Sequence, residues 1–165
     1  LHHPQRPTLT FDPDTDAAAF IDWVAPLMPT GRARPIKIVK HQGHGFTDSH
    51  FASVSLCNLA SHRAVEAQLG RPLSPHRWRS NIWFDGGAAW VEHDWIGKEI
   101  RIGTSILRIV EAAERCTMTS ANPETGQSDE YVLGALAAFD HQNFSVLAEV
   151  ITDGRMAQND PIEVI

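Results

Sequence analysis

Residues 99–110 read E-I-R-I-G-T-S-I-L-R-I-V, and this stretch decides the fold class. Polar and apolar residues alternate from Glu99 to Ile102 and again from Ser105 to Val110, the period of a strand with one buried face. Gly103-Thr104 between them supplies the turn, so the segment is a β-hairpin. Residues 81–84 and 88–92 flank Asp85-Gly86-Gly87, which predicts a second hairpin. Further strands are expected over 51–56, around Ile36 and Ile38, over 145–151, and over 162–165 after the turn residues Asp153-Gly154.

Helices are fewer. Ala17, Phe20, Ile21 and Val24 fall at helical spacing until Pro26 and Pro29 stop them. A helix over 59–69 ends at Gly70, with Pro72 just beyond. A third is expected over 129–139, with Val132, Leu133, Leu136 and Phe139 on one face. Many short strands with a few packed helices predict a mostly β, barrel-like domain. Residues 1–35 read as an arm, with Pro4, Pro7 and Pro13, followed by the short helix; residues 36–165 read as the barrel domain.

Composition narrows the function. The chain has 165 residues, 42% of them hydrophobic, and a net charge of -6. A negative chain without a basic run is a poor nucleic-acid binder. No apolar stretch reaches the ~18 residues that a membrane-spanning helix needs. Lys37, Lys40 and Lys98 are outnumbered by 11 arginines, whose planar guanidinium groups suit carboxylate and phosphate. Two cysteines far apart in sequence, Cys57 and Cys116, fit reduced thiols and a cytoplasmic protein. Cys57 lies between Leu56 and Leu59 and reads as core. The chain begins at Leu1 with neither a methionine nor a charged-then-apolar leader, and reads as part of a longer protein.

The chemistry is concentrated in 77–126. That run holds R-W-R-S-N-I (77–82), D-W-I-G-K (94–98), E-R-C-T-M-T (114–119) and N-P-E-T-G (122–126). Cys116 beside Arg115 is a thiol next to a cation, a combination that can hold a soft metal, a sulfur atom or an anionic cofactor. A lone cysteine is also an ordinary small buried hydrophobe. Arg77 and Arg79, two apart, would share one side of a strand, where an anion or a carboxylate must separate them. Asn122-Pro123-Glu124-Thr125-Gly126 has the chemistry of a tight turn. Of the five tryptophans, at 23, 78, 83, 90 and 95, three lie in or beside expected strands, where packing rather than stacking on bases is expected. Histidines 41, 44, 50, 62, 76 and 93 show no spacing that builds a closed zinc site.

In order and spacing these motifs resemble the MOSC family, the C-terminal domain of molybdenum cofactor sulfurases and of related stand-alone reductases. The resemblance continues from about Phe46 to the end. It implies a mostly β barrel with helices packed outside. It also implies a molybdenum-pterin cofactor (molybdopterin) with Cys116 as the catalytic thiolate and metal ligand. Arg77, Arg79, Asn81, Arg115 and Thr119 are implied as cofactor-binding residues. The stand-alone relatives imply an oxidoreductase acting on a small N-hydroxylated substrate, with electrons from a donor protein. The sulfurases imply an alternative, a sulfurtransferase carrying a Cys116 persulfide filled by a sulfur-donor protein. A non-catalytic cofactor-binding module is a third reading.

Three departures from the family pattern bear on these readings. Ala113 stands where many relatives carry a second cysteine, which removes a vicinal thiol relay. Ser145 replaces the glycine of a His-x-x-Phe-Gly element that begins here at His141. Leu147 stands where an aromatic residue is frequent.

Overall fold

The computed structural model describes residues 1–43 and 49–165; His44 and Phe46, which enter the sequence reading, lie outside them. The chain divides into two compact units, Leu1–Phe46 and Thr47–Ile165. In the first, helix α1 (Ala17–Val24) runs into a single 3-10 turn, Ala25–Leu27, where Pro26 removes a donor. The arm folds onto this helix: Phe11 stacks on Phe20 at 5.1 Å and the Trp23 indole donates to the Pro7 carbonyl. No strand forms around Ile36 and Ile38. Ile36 and Val39 are 82% and 60% exposed, and an alternating pattern without a neighbouring strand satisfies no ladder.

The second unit is built on six strands: β1 (Val54–Asn58), β2 (Ile82–Phe84), β3 (Glu99–Ile102), β4 (Ser105–Glu114), β5 (Asn143–Thr152) and β6 (Ile162–Val164). Their order is β2-β1-β5-β4-β3-β6, a mostly antiparallel sheet curled into a half-barrel. The expected hairpin is β3–β4, with Ile102 facing Ser105 across the turn. Helices α2 (Leu59–Leu69) and α3 (Val132–Ala137) pack beside it. Gly70 closes α2 in the left-handed conformation at φ +71°. Helix α3 begins later than expected, at Val132: Asp129 instead donates its N–H to the Ser120 carbonyl and pairs with Arg77, and Glu130 pairs with Arg71.

The second expected hairpin does not form. Strand β2 pairs parallel to β1, and residues 91–95 make a 3-10 turn rather than a strand. Side chains capture that backbone before a strand can. The Asn58 Nδ2 group donates to the carbonyls of Gly86 and Ala88, and Ser61 Oγ accepts from the Trp90 N–H. Trp90 takes φ +69°, outside the conformation of a regular strand.

Two cores occupy the two faces of the sheet. Cys57, Trp78, Val132, Leu136 and Phe144 form one with the helices. Leu56, Ile100, Leu107, Ile109, Val146 and Ala148 form the other. In a regular strand Phe144 and Val146 would share a face. They do not, because Ser145 between them lies at φ +73°, where β5 carries an extra residue against β4. This β-bulge sends Phe144 to the helical core, where it stacks on Trp78 at 3.6 Å.

The β3–β4 turn is clamped against the segment after β5. Thr104 N–H donates to the Arg155 carbonyl, and the Arg155 N–H donates to Thr104 Oγ1. A Cβ on Gly154 would meet the Thr104 backbone at 2.5 Å. Gly154→Ala is therefore expected to destabilise the domain by about 1–3 kcal/mol, read as a lower urea midpoint at unchanged slope.

Candidate functional site

Cys116 follows the end of β4 and opens the 3-10 turn Thr117–Ser120. Its thiol is exposed, and Cys57, the other free cysteine, is buried. Burial pushes the Cys57 thiol up to about 11, so it stays protonated and donates to Ser80 Oγ at 2.8 Å. Of the two thiols, only Cys116 is placed to act on anything outside the fold.

Two guanidinium groups hold the Cys116 loop. Arg115 points inward and spends its donors on the protein: Nε on the Phe144 carbonyl at 2.8 Å, Nη1 on the Trp78 carbonyl at 3.0 Å, and Nη2 on Ser145 Oγ at 2.6 Å. It also lies over the Trp78 ring, 5.8 Å from its centroid. Burial holds its pKa below the ordinary arginine value, while Cys57 and Cys116 oppose that shift. Arg77 is buried and reaches the loop from the other side. Its Nη1 donates to the Ser120 carbonyl at 2.9 Å and more weakly to that of Thr119. Its Nη2 pairs with Asp129. Asp129 in turn accepts from Asn122 Nδ2 at 2.7 Å. The N-P-E-T-G segment is the tight turn its chemistry implied, with Gly126 N–H donating to the Asn122 carbonyl. The path Asn122, Asp129, Arg77, Ser120 thus fixes the loop backbone.

The expectation that Arg77 and Arg79 share one strand face is corrected by the structure. Residues 75–78 form a 3-10 turn, and Arg79 leaves it at φ +53°. Pro75 at the start of the turn favours this over a strand. The two arginines therefore diverge. Arg77 turns under the loop, and Arg79 faces a cavity of about 390 Å³. Ser53, Ser55, Glu111, Glu114 and Arg115 also line it. Arg79 makes no ion pair with a described residue. Asn81 pins β2 to β1: its Oδ1 accepts from both the N–H and the hydroxyl of Ser55. Thr119 is buried, its hydroxyl donating to the Cys116 carbonyl at 3.1 Å.

Sequence reading passed over Ser53, Ser55 and Asp129. The spacing of Ser53 and Ser55 was the available signal, since residues two apart on a strand share a face. Asp129 carried none: its partner Arg77 is 52 residues away. A larger cavity, about 940 Å³, lies between β2 and residues 156–162. Among the described residues its wall carries no arginine or lysine, whereas the smaller cavity sets Arg79 and Arg115 against Glu111 and Glu114. Among the described residues no helix is long and apolar enough to cross a membrane, and no three metal-ligating side chains gather.

Two measurements probe this arrangement. Ser145 sits at a backbone angle that costs a non-glycine residue about 1 kcal/mol, yet it accepts a charge-assisted bond worth about 1.5–3 kcal/mol. The bond outweighs the strain, so Ser145→Gly is expected to lower stability in urea unfolding although it relieves the backbone. The second concerns His62, whose Nδ1 accepts from the Trp78 indole at 3.0 Å. Burial holds its pKa below the ordinary 6.5, against the opposing pull of Glu66. Folding thus favours the neutral ring. That contribution is fully present above pH 6.5 and is lost as pH falls through the lowered folded value. The pH dependence of unfolding should flatten in this window in His62→Gln.

Comparison with known proteins gives the family of the domain. The MOSC domain profile matches residues 41–163. Over 73 residues the chain is 33% identical to mitochondrial amidoxime-reducing component 1 of Xenopus laevis, a match covering 44% of this chain and 21% of that protein. The chain thus spans about a fifth of that relative's length. Among solved structures it is similar to YiiM from Geobacillus stearothermophilus, with a TM-score of 0.52 and 14% identity over 68% of this chain and 53% of that one. That likeness is one of fold. With three quarters of its length matched by one domain profile and a curled β-sheet carrying the cysteine loop, the chain belongs to the MOSC domain family.

Proposed function

We propose that this domain binds a molybdenum-pterin cofactor with the Cys116 thiolate as metal ligand, and reduces small N-oxygenated substrates with electrons from a partner protein. One observation carries the reading: the exposed thiol of Cys116 directly follows Arg115, which lines the same cavity as Arg79, and Arg79 has no ion-pair partner among the described residues. The residues fit such a group. A thiolate is a soft ligand suited to a soft metal centre, and a free guanidinium is suited to a phosphate. The similarity to an amidoxime-reducing component points to the same substrate class.

When bound, the molybdenum-pterin group supplies the two-electron chemistry; reduction of a hydroxylamine consumes two electrons and two protons and releases an amine and water. The chain's own residues do the rest. Cys116 offers its sulfur outward. Arg79, with Ser53 and Ser55 beside it, holds the anionic end of the cofactor. Arg77 Nη1 and Nη2 and the Arg115 donors are spent on the protein and support the loop, while Asn81 fixes the strand that follows Arg79. The electrons would be supplied by a donor protein.

One feature favours a second reading. The Cys116 thiol makes no hydrogen bond to a described residue, which leaves it open to a donor persulfide. As a sulfur carrier, its thiolate would attack the outer sulfur and release the donor's thiolate.

Metal and pterin analysis of the full-length protein and of Cys116→Ala, both made in a host that produces the cofactor, tests the choice. Near-stoichiometric molybdenum in the parent and none in the variant is the expected result. Absence of metal from both, with Cys116 trapped as a persulfide in the parent, would replace the reductase by the carrier. Arg79→Ala should lose pterin while keeping its unfolding midpoint, because that side chain supports no other part of the fold.

A further inference from the structure

Away from Cys116, two histidines lie against each other. His93 belongs to the 3-10 turn Val91–Trp95, and His141 precedes β5. Their ring centroids are 5.4 Å apart. His93 Nε2 and His141 Nδ1 are both buried and without a hydrogen-bond partner. Orphaned buried polar atoms are uncommon in folded proteins, and two in adjoining rings call for a common explanation. The surroundings are aromatic: Trp90 meets His141 edge-on at 4.7 Å, and Phe139 stacks on it at 6.3 Å.

We propose that His93 and His141 form a proton-operated latch, which holds the 91–95 turn against the sheet while at most one ring is charged and releases it when both are. The reasoning is electrostatic. Two imidazolium rings at this separation repel, and each ring has one nitrogen buried against its neighbours, although both residues are partly exposed. A single proton is tolerated. The other groups that bear on His141 all favour its proton: the Asn143 backbone and Asp140, on its own segment, and Glu92, on the turn. Asp94 on the same turn is exposed. Glu92 is fully buried and committed to Asn58 Nδ2 and Ser61 Oγ. The remaining neighbours, Trp90, Phe139 and Phe144, are uncharged. Burial first, and then His93, hold the pKa of His141 below the ordinary value of 6.5, in line with this geometry.

The latch has two places to act. Val91 and Trp95, at the ends of the turn that carries His93, line the cavity of about 940 Å³. Release of the turn loosens that wall. The segment that carries His141 also continues into Gln142 and Phe144, whose carbonyls accept from the Arg115 N–H and Nε. Acidification is thereby connected to the loop that presents Cys116, whichever chemistry that loop performs.

The test follows the histidine ring nitrogens by NMR across pH 4–8 in the full chain without cofactor, so it does not depend on the proposed reaction. The pair should take up its protons in two macroscopic steps more than about one pH unit apart. In His93→Gln, His141 should titrate once, at a higher pH than its lower step in the parent. Protection of the 91–95 amides from hydrogen exchange, corrected for intrinsic rates, should fall below the second step in the parent. In His93→Gln that pH dependence should be absent. Two independent single steps near pH 6.5 in the parent would overturn the proposal, and so would protection that falls equally in the variant. If His93→Gln does not fold, the parent's titration decides alone.

Discussion

The cysteine loop rests on two buried guanidinium groups. Arg77 binds the Thr119 and Ser120 carbonyls of the turn Thr117–Ser120, and Arg115, just before it, binds those of Trp78 and Phe144. Carbonyls of this kind belong to backbone that leaves the regular ladder, at the end of β4 and around the bulge in β5. Buried without partners they would each cost free energy comparable to a lost hydrogen bond. The arginines satisfy them with rigid forks, which a lysine could not reproduce. What looks like a basic site is therefore largely internal support, and Arg79 is left as the cation facing outward.

This division of labour explains how irregular backbone persists at the rim of a regular sheet. Strand β5 gives up its alternation at Ser145 so that Phe144 can stack on Trp78. The strained residue supplies the oxygen that Arg115 needs. Its conformation also accounts for the glycine in the related His-x-x-Phe-Gly element, since glycine enters the left-handed region without steric cost. In this chain a serine trades that freedom for a hydrogen bond. The helical core then holds the other end: Trp78 is fixed by stacking on Phe144 and by its indole bond to His62.

Some of this architecture was open to reading in the chain itself. The β3–β4 hairpin, helix α2 with its terminal Gly70, and the tight turn from Asn122 to Gly126 depend on neighbours in sequence. Alternation, a left-handed cap and an Asx turn are local physics. Elements that failed were those whose outcome rests on distant partners. The pattern at Ile36 and Ile38 is strand-like but meets no second strand. Residues 88–92 lost their strand to the side chains of Asn58 and Ser61, some thirty positions earlier. Helix α3 gave up its first turn to Asp129, which Arg77 claims.

The sequence by itself determined the class of fold and the family, because motif order and local periodicity survive without coordinates. Tertiary structure decided what each charged residue does. Arg77 and Arg79, two positions apart, differ in role because a 3-10 turn begun at Pro75 and a left-handed Arg79 send one inward and one outward. Spacing fixes direction only within regular secondary structure. Where the backbone turns, burial and hydrogen-bond satisfaction set it instead, and those depend on the whole chain.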